Sequence, residues 1–251
     1  MDKNNTAKNR ANDIRNLHGL GQRPIADIFA LLEDIGIYLF KKSFYNSNLS
    51  AVFVNDNKRS LVVINSDRTL GHQIFSVAHE LSHYYYDKHI ISGACSINKN
   101  GQKNETEQLA DLFASHFLMP DDGVISVAEK RVNKDGKLDL LDIIFIQQYF
   151  GVSWSAMLTK LEYLKYIDNK ESLRNVGIKA FTQALRYNTG LIEKTQDTYI
   201  SKQYIEKVIK CRDSYEISDA KAKEILKDVN IMLEDIIHIE DTGEGGDNYE
   251  D

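Results

Sequence analysis

Three of the chain's seven histidines fall close together, in the stretch FSVAHELSHYYYDKH at positions 75–89. His79, Glu80 and His83 form the pattern H-E-x-x-H. Four residues advance an α-helix by about 6 Å and about 400° of rotation, so the two imidazoles leave the same face one turn apart. Two nitrogens placed this way can hold one Zn²⁺ at about 2.0–2.1 Å. Glu80 is turned by about 100° from His79, near enough to address a water at the metal without being a ligand. The chemistry this predicts is hydrolysis. Glu80 takes a proton from that water as general base and delivers it to a leaving amine.

A catalytic zinc needs a third protein ligand and an open position. His89 lies ten residues after His79, the metzincin spacing, but Tyr86 stands where that pattern has the glycine that turns the chain back. The stronger candidate lies in ETEQLADLFASHFLMP. Glu107 and Asp111 share a face of a predicted helix whose other positions include Leu109, Ala110, Leu112, Phe113, Ala114, Phe117 and Leu118. An unpaired charge is costly to bury, so a carboxylate on such a helix needs a reason to face inward. A zinc ion supplies one for Glu107. Asp111, one turn on, is placed to accept the second N–H of a ligand histidine, His79, and so fix its tautomer. Glu105 is the rival carboxylate. It sits at the helix start, where the dipole favours an acid in any case.

These groups need helices and a sheet to position them. PIADIFALLEDIG carries Ile25, Ile28, Leu31, Leu32 and Ile35 at helical spacing, with Pro24 at its start and Gly36 at its end. IYLF, SAVFVND and SLVVINS are rich in β-branched and aromatic residues and read as strands, with NDNKR as a hairpin connection between the last two. The H-E-x-x-H helix is expected over about 71–87, then a polar loop, ISGACSINKNGQKN, and the second helix over about 105–118. Beyond Pro120 the pattern is helical at roughly 122–131, 138–150, 153–167, 171–188, 200–212 and 218–237, with Ser153 and Ser218 as N-caps. The predicted fold class is α+β: a small antiparallel sheet packed with the two site helices, then an all-helical C-terminal region. The expected divisions are an N-terminal helical arm at 1–20, a catalytic domain at 21–167, helices at 168–239 and a disordered acidic tail at 240–251.

The chain of 251 residues is 42% hydrophobic and 27% charged, with a formal charge of −6. Six acids and no base lie in the final stretch IEDTGEGGDNYED, and without them acids and bases balance. This is not the basic footprint of a non-specific nucleic-acid binder. No apolar run approaches the roughly 20 residues that span a bilayer, and MDKNNTAKNR is no secretory signal. Cys95 and Cys211 are the two cysteines, which fits free thiols in a reducing cytoplasm. RVNKDGKLDLLD resembles a calcium loop, but Arg131 puts a cation at the first ligand position. FGVSWSAMLTKLEYL has the outline of a DNA-reading helix, though Val152, Trp154, Met157, Leu158, Leu161 and Leu164 are more simply a packing face. Tyr84, Tyr85, Tyr86 and His116 lie near the site in sequence. No one of them is singled out as the stabiliser of a tetrahedral oxyanion.

The pair FSVAHELSHYYYD and EQLADLFASHFLMP resembles the ImmA/IrrE family of zinc metallopeptidases, intracellular and gluzincin-like. The resemblance extends back through PIADIFALLEDIGI and LVVINSDRT and forward through YFGVSWSAMLTKLEYL, over roughly residues 20–167. It implies one Zn²⁺ per chain held by His79, His83 and Glu107, with Glu80 the catalytic glutamate. Ser82 stands where relatives often have glycine, and Asp111 where they commonly have asparagine. Some members carry an N-terminal helix-turn-helix domain, and the short stretch before residue 20 leaves no room for it here. The resemblance also implies a function: cleavage of a helix-turn-helix repressor or antitoxin-like partner, relieving repression on a phage or mobile element. On that reading the partner is a protein substrate, not a membrane or DNA. The alternative is a non-catalytic regulator in which zinc only organises the domain. Such a site is closed by a fourth ligand, for which His116 and His89 are the candidates.

Overall fold

Buried and half-exposed residues alternate along β1 (Ile37–Lys42) and through most of β3 (Ser60–Asn65), so that Ile37, Leu39, Val62 and Ile64 enter the core. The computed structural model describes residues 2–45, 49–55, 59–87, 92–94, 104–227 and 231–233, in two compact units, Met1–Asp197 and Thr198–Asp251. In the first unit, β2 (Ala51–Asn55) pairs antiparallel with β3, Asn55 opposite Ser60. β1 pairs with β3 in parallel, Ile37 opposite Ser60. β4 (Ser92–Ala94) joins β2 antiparallel, giving the order β4–β2–β3–β1. The α+β class stands, but the sheet is mixed, not antiparallel throughout as the sequence suggested. β2 runs back from the end where β1 stops, and the hairpin then returns β3 between the two, which makes β3 parallel to β1. β4 arises within the segment read as a polar loop; apart from Asn104, the rest of that loop lies outside the described residues.

Helices α1 (Lys3–Leu17) and α2 (Ile28–Asp34) precede the helix that bears H-E-x-x-H. α2 begins at Asp27, whose carboxylate caps Phe29 and Ala30, three residues after the proline expected to start it. α3 (Leu70–Tyr86) opens where the Thr69 hydroxyl accepts from His72 N at 3.3 Å, and it closes at Asp87. Its first turn approaches its neighbours closely. A Cβ built on Gly71 would lie 2.7 Å from the Ser153 nitrogen and 2.9 Å from the Leu191 carbonyl oxygen. α4 (Glu105–Leu118) starts with Asn104 Oδ1 accepting from Glu107 N at 2.8 Å.

α4 lies between α3 and α1. On α1, Ala7 and Ala11 are fully buried one turn apart, and Ile14 and Arg15 follow. The Arg15 guanidinium donates to the carbonyls of Gly21 at 2.7 Å, Leu20, Arg23 and Phe117. Burial lowers its pKa to about 10. Behind α4 a buried polar cluster ties four helices together, with α5 (Asp121–Ala128) and α7 (Trp154–Tyr163) contributing. Asp121 pairs with Lys160 and, at 2.7 Å, with Lys8. His116 lies 3.2 Å from Lys160 Nζ and 3.0 Å from Asn4 Oδ1, and Asn4 Nδ2 donates to the Tyr163 hydroxyl at 3.0 Å. Besides Lys160, α7 buries Trp154, Met157, Leu158 and Leu161, as the packing-face reading requires.

α6 (Leu140–Phe150) ends at Gly151, which takes a left-handed φ of 65°. Between α5 and α6 lies the calcium-like loop. Arg131 Nη1 sits 3.0 Å from Asp142 Oδ1, so the first and last ligand positions satisfy each other, and the guanidinium stacks 3.4 Å over the Phe145 ring. The helix expected at 171–188 is two, α8 (Lys170–Arg174) and α9 (Ile178–Ala184), parted at Gly177, and both belong to the first unit. In the second unit, α10 (Lys202–Asp213) and α11 (Asp219–Lys227) enclose Val208, Ala222, Leu226 and Leu233, with Ser218 Oγ accepting from Lys221 N at 3.2 Å. Cys211 is a free thiol, whereas Cys95 and the acidic tail lie outside the described residues. Among the described residues no helix is long and apolar enough to cross a membrane.

Candidate metal centre

α3 packs Val77, Ala78 and Leu81 into the core, and His79 and His83 meet α4; His79, Glu80 and His83 are 3%, 2% and 5% exposed. Glu107, 7% exposed, comes from the first turn of α4. His79 Nε2 lies 3.1 Å from His83 Nε2 and 3.2 Å from Glu107 Oε2, while His83 Nε2 lies 3.5 Å from Glu107 Oε1. Tetrahedral ligands about 2.0–2.1 Å from a zinc ion stand about 3.3–3.4 Å apart, close to all three separations. Among the described residues His79, His83 and Glu107 are the group of histidine and acidic side chains able to hold a metal ion.

The far sides of both rings are also engaged. His79 Nδ1 is 3.0 Å from Asp111 Oδ1, and His83 Nδ1 is 2.8 Å from Asp87 Oδ2. A carboxylate only accepts, so each Nδ1 carries the hydrogen and each Nε2 presents a lone pair. Two such lone pairs and a carboxylate converge on one point, an arrangement that suits a cation. The expected partner of His79 is thus in place. Asp87 was missed, although its signal was present: a carboxylate one helical turn beyond His83.

Burial pushes the Glu80 carboxyl up to about 7. His79 and His83 pull it the other way, and the Glu107 charge adds to the rise. A group that titrates near neutrality can both take and give a proton, as a general base that later acts as an acid must.

Glu105 and His116, two of the rival ligands, are not at the centre. Glu105 faces Lys3 at 3.3 Å, with 71% of its side chain exposed. His116 is committed to the cluster behind α4. His89 lies outside the described residues. Of the tyrosines, Tyr85 is hydrogen-bonded to His18 Nε2 at 2.6 Å, Tyr86 donates to the Arg10 carbonyl at 3.0 Å, and Tyr84 stands edge-on to Phe53.

The model of the Peptidase_M78 family, the IrrE N-terminal-like domain, matches residues 32–162, just over half of the chain. The chain belongs to this family. The matched residues of the IrrE-like domain run from α2 to the end of α7 and include every residue of the centre. Metallopeptidase ImmA of Bacillus subtilis (strain 168) is 25% identical over 114 residues, 45% of this chain. The match covers 63% of that relative's own length. A metallopeptidase family implies a bound metal, and the donor set of this IrrE-like domain fits one.

Proposed function

We propose that the chain is a zinc-dependent endopeptidase of the cytoplasm. The observation that carries this reading is the convergence of His79, His83 and Glu107 on one point, with the Glu80 carboxyl beside it. Zinc, when bound, supplies Lewis acidity toward a peptide carbonyl. His79 and His83 would hold it through Nε2 and Glu107 through a carboxylate oxygen. Among the described residues nothing donates a hydrogen bond to the Glu80 carboxyl, which leaves it available to water. Glu80 accepts the proton of an attacking water at Oε and passes it to the nitrogen of the departing amine.

The substrate we propose is a helix-turn-helix repressor or an antitoxin-like partner, whose cleavage lifts repression on a phage or mobile element. The support is the family resemblance together with the ImmA relative. Turnover of generic peptides should be slow. The test is to find a helix-turn-helix protein encoded beside the gene and to co-express it with the chain. The wild-type chain should yield two fragments of that protein. Glu80→Gln should retain one zinc per chain and lose about 10²–10⁴-fold or more in cleavage rate. Undiminished cleavage by Glu80→Gln, or a wild-type chain that takes up no zinc, would overturn the assignment.

A further inference from the structure

The second histidine of the centre is gripped twice by one residue. Asp87 caps the end of α3, where its backbone N–H donates to the His83 carbonyl at 2.9 Å and its Oδ2 accepts from His83 Nδ1 at 2.8 Å. Main chain and ring are therefore fixed together. The Asp87 side chain is 20% exposed, against 32% for Asp111 on His79, so water competes less for it.

The turn that presents Asp87 is itself tied down. The hydroxyl of Tyr86 donates to the Arg10 carbonyl, and the Arg10 guanidinium lies 4.4 Å over the Tyr86 ring. The same ring meets Phe113 of α4 edge-on, with centroids 6.0 Å apart. Tyr85 holds His18, just past the end of α1. The last turn of α3 cannot swing out without breaking its contacts to α1 and α4.

We propose that Asp87 is a positioning residue for metal binding. It locks His83 in the tautomer with hydrogen on Nδ1, and it fixes the ring plane so that the Nε2 lone pair points at Glu107 and His79 Nε2. Without an acceptor at Nδ1, the hydrogen redistributes to Nε2 and the ring turns about its bond to Cβ. Either change removes a donor from the centre. The inference rests on the metal reading of the site given above.

The test is zinc affinity, measured by competition with a fluorescent chelator, alongside the visible absorption of the cobalt(II)-loaded protein. Asp87→Ala should bind zinc about 10–100-fold more weakly, the range for loss of a carboxylate behind a ligand histidine. Its cobalt band should shift or weaken as the coordination becomes irregular. Asp87→Asn keeps an oxygen that can accept from Nδ1 and should recover most of the affinity. The metal-free forms of the two variants should melt alike. Wild-type affinity and an unchanged cobalt band in Asp87→Ala would overturn the proposal. So would equal losses in both variants accompanied by a fall in the melting temperature of the metal-free protein, since that is a purely structural role. A wild-type chain that binds no zinc would instead overturn the metal reading itself.

Discussion

Replacing Glu80 with glutamine should make the metal-free protein more stable, and only above the ordinary carboxylate range. Burial moves the Glu80 carboxyl from its ordinary value of 4.5 to about 7 in the fold. A carboxyl raised in the folded state binds its proton there more tightly than in the unfolded chain. Stability therefore falls as pH rises from the lower value, and the loss is complete above the higher one. At about 1.4 kcal/mol per tenfold in proton affinity, the gap amounts to about 3 kcal/mol. Glutamine has nearly the same shape and no charge to desolvate. At pH 8, with chelator present, the variant should be the more stable by about 3 kcal/mol. The advantage should shrink as pH falls through 7 and vanish below about 4.5. Urea unfolding followed by the fluorescence of Trp154, the only tryptophan, would measure it. Equal stability at pH 8, or a difference that does not change with pH, would refute the reasoning. A site that holds an ionised group where folding would prefer a neutral one keeps it for another purpose.

Asp121→Asn should cost about 3–5 kcal/mol in urea unfolding, because it leaves the Lys160 ammonium, 2% exposed, without a carboxylate; adding Lys160→Met should return most of the loss. Burial alone would raise the Asp121 carboxyl, but hydrogen bonds from His116, Lys160 and Lys8 overcome that and hold it well below the usual range. The deficit of the single variant should therefore be full above about pH 4 and close as pH falls further. Gly71→Ala forces a Cβ to within 2.7–2.9 Å of the Ser153 backbone and the Leu191 carbonyl, where no flexible side chain can yield; a loss of about 1–3 kcal/mol is expected in the same assay.

The centre was legible because its information is local. His79, Glu80 and His83 belong to one helix, Glu107 and Asp111 to the next, and helical spacing alone puts His79 with His83, and Glu107 with Asp111, on one face. The caps at Ser153 and Ser218 were legible for the same reason. Strand order was not. Nothing within IYLF or SLVVINS says that β3 will enter beside β1 in parallel, because pairing depends on where the hairpin returns. The break at Gly177 was hidden in a pattern that continued across it. The role of α1 was the least visible. It reads as a polar helix, yet Arg15 and the groups behind α4 are buried because other helices bring them partners, and no spacing rule announces a partner more than a hundred residues away.

The pairing of Arg131 with Asp142 has a practical side. A side chain there does permanently what a diffusible ion would do only when supplied, so the corner between α5 and α6 keeps its shape whatever the calcium concentration. A reagent such as EDTA then has one described target in this protein, and a melting curve that moves on its addition reports on the two imidazoles and the carboxylate opposite them.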